Sequence, residues 1–229
     1  MARRLWMQRF ARWHIWLGWL VAVPMLLWVA SGLFMVIKPI DEVRGENVRA
    51  RAASMEATGL VLPRLSGPVD AVALVSEPAG PTWIVRSGTA EPHRYSARDG
   101  RDLGTVSAAE ARTIAAAAYA GPGRIEALRR FTADTSPLDL RKARPSWQAK
   151  FSDGTHVYVD AGTGEVLAFR TRFWRAYDLM WGLHIMDLQT REDPHHPILI
   201  LFAALALAGS VIGTVLLFRR RRSPVRAAR

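Results

Sequence analysis

Two long apolar runs bracket this chain, and between them the pattern shortens to the periods of a folded domain. The first run, Trp13 to Ile37, has 25 residues with His14 as its only strongly polar side chain. The second, Pro197 to Phe218, has 22 residues and no charge. At about 1.5 Å per residue, each exceeds the roughly 30 Å hydrocarbon core of a bilayer, so both are expected to cross it as helices. An Arg at mid-bilayer costs about 2.5 kcal/mol or more, and uncharged runs of this length have little other use. Pro24 lies inside the first span, where it frees a carbonyl and can kink the axis. In the second span Gly209 and Gly213 form a G-x-x-x-G, with Ala206, Ser210 and Thr214 on adjacent turns. Small residues of this kind let helix backbones approach closely, within one chain or between chains.

The middle reads as mixed helix and strand. Ser107 followed by Glu110 is a capping box, and the Ala-rich stretch Ala108 to Tyr119 behind it predicts a helix stopped by Gly121-Pro122-Gly123. Trp147, Ala149 and Phe151 alternate with Gln148 and Lys150, as in a strand with one buried face. Asp153-Gly154 predicts a hairpin turn into His156 to Asp160, and Thr163-Gly164 a second turn into Glu165 to Phe169. An echo runs through the domain. Trp83, His93-Arg94-Tyr95 and Asp99-Gly100 resemble Trp147, His156-Val157-Tyr158 and Thr163-Gly164, which suits either a duplicated hairpin or chance similarity. Beyond the strands, Phe173, Tyr177, Trp181, His184 and Leu188 form one helical stripe. That stripe predicts a helix lying in the membrane interface, its aromatic side inward, with the imidazole facing lipid, the second span or a flat cofactor.

Charge assigns a direction to this arrangement. The chain carries 31 Lys and Arg against 20 Asp and Glu. All 20 acids lie between Asp41 and Asp193, and 21 of the basic residues, from Lys38 to Arg191, nearly balance them. The excess sits in two tails: Arg3, Arg4, Arg9 and Arg12 before the first span, and Arg219 to Arg222, Arg226 and Arg229 after the second. Short Arg-rich flanks stay cytoplasmic, so both termini are expected inside and the central domain outside, in the periplasm if the membrane is a bacterial inner membrane. This distribution argues against nucleic acid as a partner. A cleaved signal peptide is the rival reading of the first run, with Ala30 to Gly32 as a weak cleavage site, but the run is much longer than a signal core and rich in Trp. The chain has no cysteine, which excludes disulfides, thiolate zinc sites, Fe–S clusters and thiol catalysis.

The stretch Ser107 to Arg170, a capped Ala-rich helix followed by Trp-x-x-x-Phe, Asp-Gly, Val-Tyr-Val-Asp and Thr-Gly-Glu-Val, resembles a PepSY domain. The flanking spans are similar to those of the PepSY-associated transmembrane family, with His14 and Gly18 as its opening His-x-x-x-Gly and Trp181-Gly182-Leu183-His184 as its Trp/His-rich segment. The resemblance implies an α+β fold: two transmembrane helices flanking a periplasmic helix and antiparallel sheet. The expected division is a cytoplasmic tail 1–12, first span 13–37, PepSY-like domain 38–172, aromatic interfacial helix and His-rich turn 173–196, second span 197–218 and Arg-rich tail 219–229. Members of the family include iron-regulated membrane proteins and ferric-siderophore reductases that hold haem between helices through histidines, many of them with about four spans.

Position sorts the six histidines. His93 and His156 fall in strands with no partner at metal-ligand spacing, so each reads as a half-exposed strand residue. The chain has no H-E-x-x-H, nucleophile elbow or glycine-rich phosphate loop. His14, His184, His195 and His196 sit at span ends, where ionisable groups are both tolerated and functional candidates. His14 lies at the inner edge and the other three at the outer edge, a full span apart, so they cannot share one iron. Taken with the resemblance, these four are the candidate axial ligands of haem b. The pairing would be between copies in a homodimer, or of His184 with His195 or His196 across the turn. The implied role is iron or haem handling, as an electron-transfer component for periplasmic reduction of a ferric chelate. The alternative is a module without enzymatic activity, anchored in membrane lipid only by its spans, which captures a peptide at a sheet edge or regulates a periplasmic protease.

Overall fold

A computed structural model describes residues 2–51, 54–88 and 91–220. The outermost Arg of the second tail, Arg221 to Arg229, therefore lie outside the described residues. In chain order the elements are α1 (Ala2–Met35), α2 (Ile40–Val43), β1 (Ala71–Glu77), β2 (Gly80–Arg86), β3 (His93–Ser96), α3 (Ala108–Ala118), β4 (Ile125–Phe131), β5 (Ser146–Phe151), β6 (His156–Asp160), β7 (Val166–Arg170), α4 (Arg172–His184) and α5 (Pro197–Arg220). They divide into two units, one of Met1–Ile37 with Tyr177–Arg229 and the other Lys38–Ala176. The fold is the expected mixture of helix and antiparallel sheet between two apolar helices.

In the helical unit α1 and α5 pack against each other in antiparallel sense. A Cβ on Gly209 would lie 3.4 Å from the Leu17 side chain, and one on Gly213 would lie 2.8 Å from His14 Cε1. The G-x-x-x-G is thus a contact within the chain, where missing side chains let α1 come close. Pro24 is accommodated inside α1, which is continuous to Met35. Bulky residues such as Trp16 and Trp19 point outward, 74% and 76% exposed, as spans facing lipid require.

The other unit holds two antiparallel sheets, β1-β2-β3 and β4-β5-β6-β7. α3 covers one face of the four-stranded sheet, burying Ala111, Ile114 and Ala115 against Ala149, Phe151, Val157, Val159 and Phe169. The capping box forms as read: Ser107 Oγ accepts from Glu110 N at 3.3 Å, and Ser107 N donates to Glu110 Oε2 at 2.8 Å. Beyond Ala118 the Tyr119 ring folds over Gly121, where any Cβ would overlap it, and its hydroxyl donates to Asp153 Oδ2 at 2.6 Å. Period-2 alternation sends Tyr158 to the opposite face, beside Leu140 and Ala168. There its hydroxyl donates to Asp139 Oδ1 at 2.5 Å and accepts from Gln148.

The echo between the hairpins is real in the backbone and out of step in the side chains. Trp83 pairs with Tyr95 and Trp147 with Val159, each twelve residues on. Both indoles donate to a preceding main-chain carbonyl, that of Val61 at 2.8 Å and of Val106 at 2.9 Å. Tyr158, however, pairs with Gln148 and not with Trp147. The one-residue difference in spacing puts the two tyrosines on opposite faces, and it is buried Arg94 that stands where Tyr158 stands in the second hairpin.

Candidate functional site

The membrane-edge histidines are held by different local chemistry. His184 ends α4, and its ring packs on Trp28 and Ser31 of α1. Trp28 Nε1 donates to His184 Nε2 at 3.0 Å. That leaves the proton on Nδ1, which faces the Trp28 carbonyl at 3.2 Å and Ser31 Oγ at 3.1 Å. Gly32 makes the space, since a Cβ there would lie 3.3 Å from His184 Cε1. Both ring nitrogens of His184 are therefore engaged. The Trp28-Ser31-Gly32 receptor was not foreseen from sequence, although a Ser-Gly pair in an otherwise bulky span is the signal that marks it.

The face of α4 also differs from the aromatic stripe. Its buried residues are Trp174, Asp178 and Gly182, followed past the helix end by Ile185, while Leu188 is exposed. α4 stops at His184 because Met186 adopts a left-handed conformation (φ 57°), which breaks the helical repeat before Leu188. Asp178 takes a 2.7 Å bond from Arg191 Nη1, and Trp181 Nε1 donates to the Arg191 carbonyl at 3.0 Å.

The polar break before α5 is an ordered loop built on Asp187. Its Oδ1 accepts from the main-chain N–H of Gln189 and Thr190 at 3.1 and 3.0 Å. Its Oδ2 accepts from the Thr190 hydroxyl and from the N–H of Glu192 and Asp193 at 3.2 and 3.3 Å. The Thr190 hydroxyl first, and these amides with it, hold the Asp187 carboxyl well below the usual carboxylate range. The loop delivers His195, whose side chain is 90% exposed with Nδ1 4.0 Å from Asp193 Oδ1, and then His196 at the start of α5.

His14 and His196 share one property. Each has a buried Nδ1 with no hydrogen-bond partner. His14 rests against Gly213 in the body of α5, whereas His196 immediately precedes that helix. Seventeen residues of helix rise, about 25 Å, separate Gly213 from His196 along α5. The four candidate histidines thus do not converge within one chain. In the other unit His93 pairs opposite Val85 in its strand, and His156 Nδ1 lies 3.2 Å from Asp139 Oδ2.

Two apolar helices, Gln8–Met35 and Pro197–Phe218, are long enough to cross a membrane, and they bracket a capped helix on an antiparallel sheet. The family model described as the PepSY-associated TM region matches residues 11–229. The chain belongs to this family. It is a membrane PepSY protein, with Lys38–Ala176 as the compact unit between its spans. No curated protein matches the chain, and no solved structure does. Among the described residues of this PepSY protein, no group of three or more His, Asp or Glu is gathered for a metal ion.

Proposed function

We propose that this PepSY protein is a bacterial inner-membrane component of iron or haem handling. It carries haem b at its span ends and passes electrons toward a ferric chelate in the periplasm. The observation that supports this reading is the pair of orphaned ring nitrogens on His14 and His196. A buried polar atom without a partner costs about 1–3 kcal/mol, and a histidine left so at a span end is poised for a ligand the chain itself does not supply. These two residues fit an axial role. His184 does not, with both nitrogens hydrogen-bonded, and His195 stands in solvent. Haem held by His14 at one end, or by His196 at the other, would supply a one-electron couple.

The chain's own residues do the positioning. Gly213 fixes where the His14 ring lies, and the Asp187 loop fixes the entry of His196 into α5. Each end offers one such histidine, so a bis-histidine site takes its second ligand from another copy of the chain. The Arg-rich flanks support an orientation with both termini cytoplasmic and residues 38–172 periplasmic.

Absorbance spectroscopy tests the reading. Protein purified in detergent from haem-replete cells is expected to show a Soret band that weakens in His14→Ala and His196→Ala and persists in His195→Ala. A wild-type protein without that band overturns the proposal. The remaining reading would then be a membrane-anchored module that captures peptides or regulates a periplasmic protease.

A further inference from the structure

Within the unit Lys38–Ala176, a cleft of about 560 Å³ opens between the outer edge of β1, the C-terminal half of α3 and the start of β7. That volume lies in the roughly 300–1,000 Å³ range of ligand-binding clefts. Val75, Ile114, Val166 and Phe169 give it an apolar floor. β1 is an edge strand whose only strand partner is β2, so main-chain groups on its other side are unpaired among the described residues. An edge of this kind is a template for an added strand.

Two further features specify what the cleft would accept. Glu77, on β1, has a side chain only 7% exposed; its Oε2 takes Arg94 Nη2 at 2.6 Å, while buried Oε1 has no partner. Gly164 leaves that oxygen its space, because a Cβ there would lie 2.6 Å away. Nε and Nη1 of Arg94 are buried without partners as well, and because the pair is balanced in charge, a neutral group such as a main-chain amide suits the open Oε1. The second feature is charge. Glu165 is matched by Arg86 at 2.9 Å, Glu77 by Arg94 and Arg49 by Glu46 at 3.2 Å, so among the described residues lining the cleft the unbalanced charge is the exposed Arg51. Arg49 beside it is held over the Phe169 ring, 4.7 Å from its centroid.

We propose that this cleft binds an extended peptide segment of another protein, added as a strand to the free edge of β1. One peptide N–H donates to Glu77 Oε1, alternate apolar side chains enter the floor, and an acidic residue or terminal carboxylate meets Arg51. The site is independent of the haem reading, since none of its residues is a membrane-edge histidine.

Fluorescence anisotropy on the full chain in detergent tests it. The probe is a short fluorescein-labelled peptide alternating Val and Ser and ending in Asp. Saturable binding is expected, weakened about tenfold or more by N-methylation of the probe's alternate amides. Ala117→Trp fills the cleft from the exposed side of α3 and is expected to abolish binding, with the Soret band, where present, unchanged. Arg51→Glu is expected to reverse the preference from an Asp-ended to a Lys-ended probe. Equal binding of methylated and unmethylated probes, or affinity untouched by both variants, overturns the proposal.

Discussion

A single indole decides what His184 can do. Because Trp28 donates to Nε2, the imidazole works as a clasp between α4 and α1 and has no nitrogen to spare. Trp28→Phe keeps the ring and removes the donor. It is expected to cost about 1 kcal/mol, the scale of interhelical hydrogen bonds in membranes, read as a lower midpoint of SDS-induced unfolding. An unchanged midpoint would show that the clasp is idle. In the other unit Asp139 is sensitive to acid. Burial pushes its carboxyl up, but the hydrogen bonds from His156 and Tyr158 outweigh this and hold it below the usual range. A carboxyl whose native pKa is depressed stabilises the fold above its unfolded value of about 3.9 and loses that contribution as pH falls through the native value. Acid unfolding followed by Trp fluorescence is therefore expected to be shallower below about pH 4 in Asp139→Asn. On the alkaline side burial, and then the Asp139 carboxylate, raise Tyr158, so its neutral form is part of the fold throughout the physiological range.

Among the elements, those with a clean period were legible and those with a fault in it were not. The capped helix α3 and the three strands β5 to β7 follow from spacing alone, because Ala149, Val157 and Phe169 alternate regularly into one core. β4 escaped because its apolar residues, Ile125, Leu128 and Phe131, recur every third position, a helical rhythm. The cause is a bulge: Ile125 pairs with Phe151 and Ala127 with Lys150, leaving Glu126 unpaired. That extra residue turns Ile125 and Leu128 to the same side. Deleting Glu126 is expected to regularise the ladder with no side chain changing face, at a cost below about 1 kcal/mol in denaturant unfolding, since the 4.0 Å Glu126–Lys150 pair is solvent-exposed. A loss of several kcal/mol would mean the bulge itself is needed. The site was less legible than the fold. His14 and His196 stand out by position, but sequence spacing cannot say which histidines have hydrogen-bond partners, and Trp28 and His184 are 156 residues apart.

For the molecule as a whole, apolar length and charge distribution are the informative quantities, and both are read directly from the chain. Two spans put both ends on one side, and in the orientation proposed above the Arg-rich flanks make that side the cytoplasm. A phosphatase reporter, active only after export, is expected to be silent when fused after Arg229 and active when inserted at Gly67, where nothing crowds the backbone. The opposite pattern would reverse the topology. The contact of His14 with Gly213 carries a consequence for biogenesis. α1 is synthesised before α5, so the surface that receives it follows only after the entire unit Lys38–Ala176. Until then His14 lacks the α5 surface against which it packs. Chains arrested before α5 should accordingly be recognised as incomplete and degraded, so that membrane quality control acts on the nascent anchor itself.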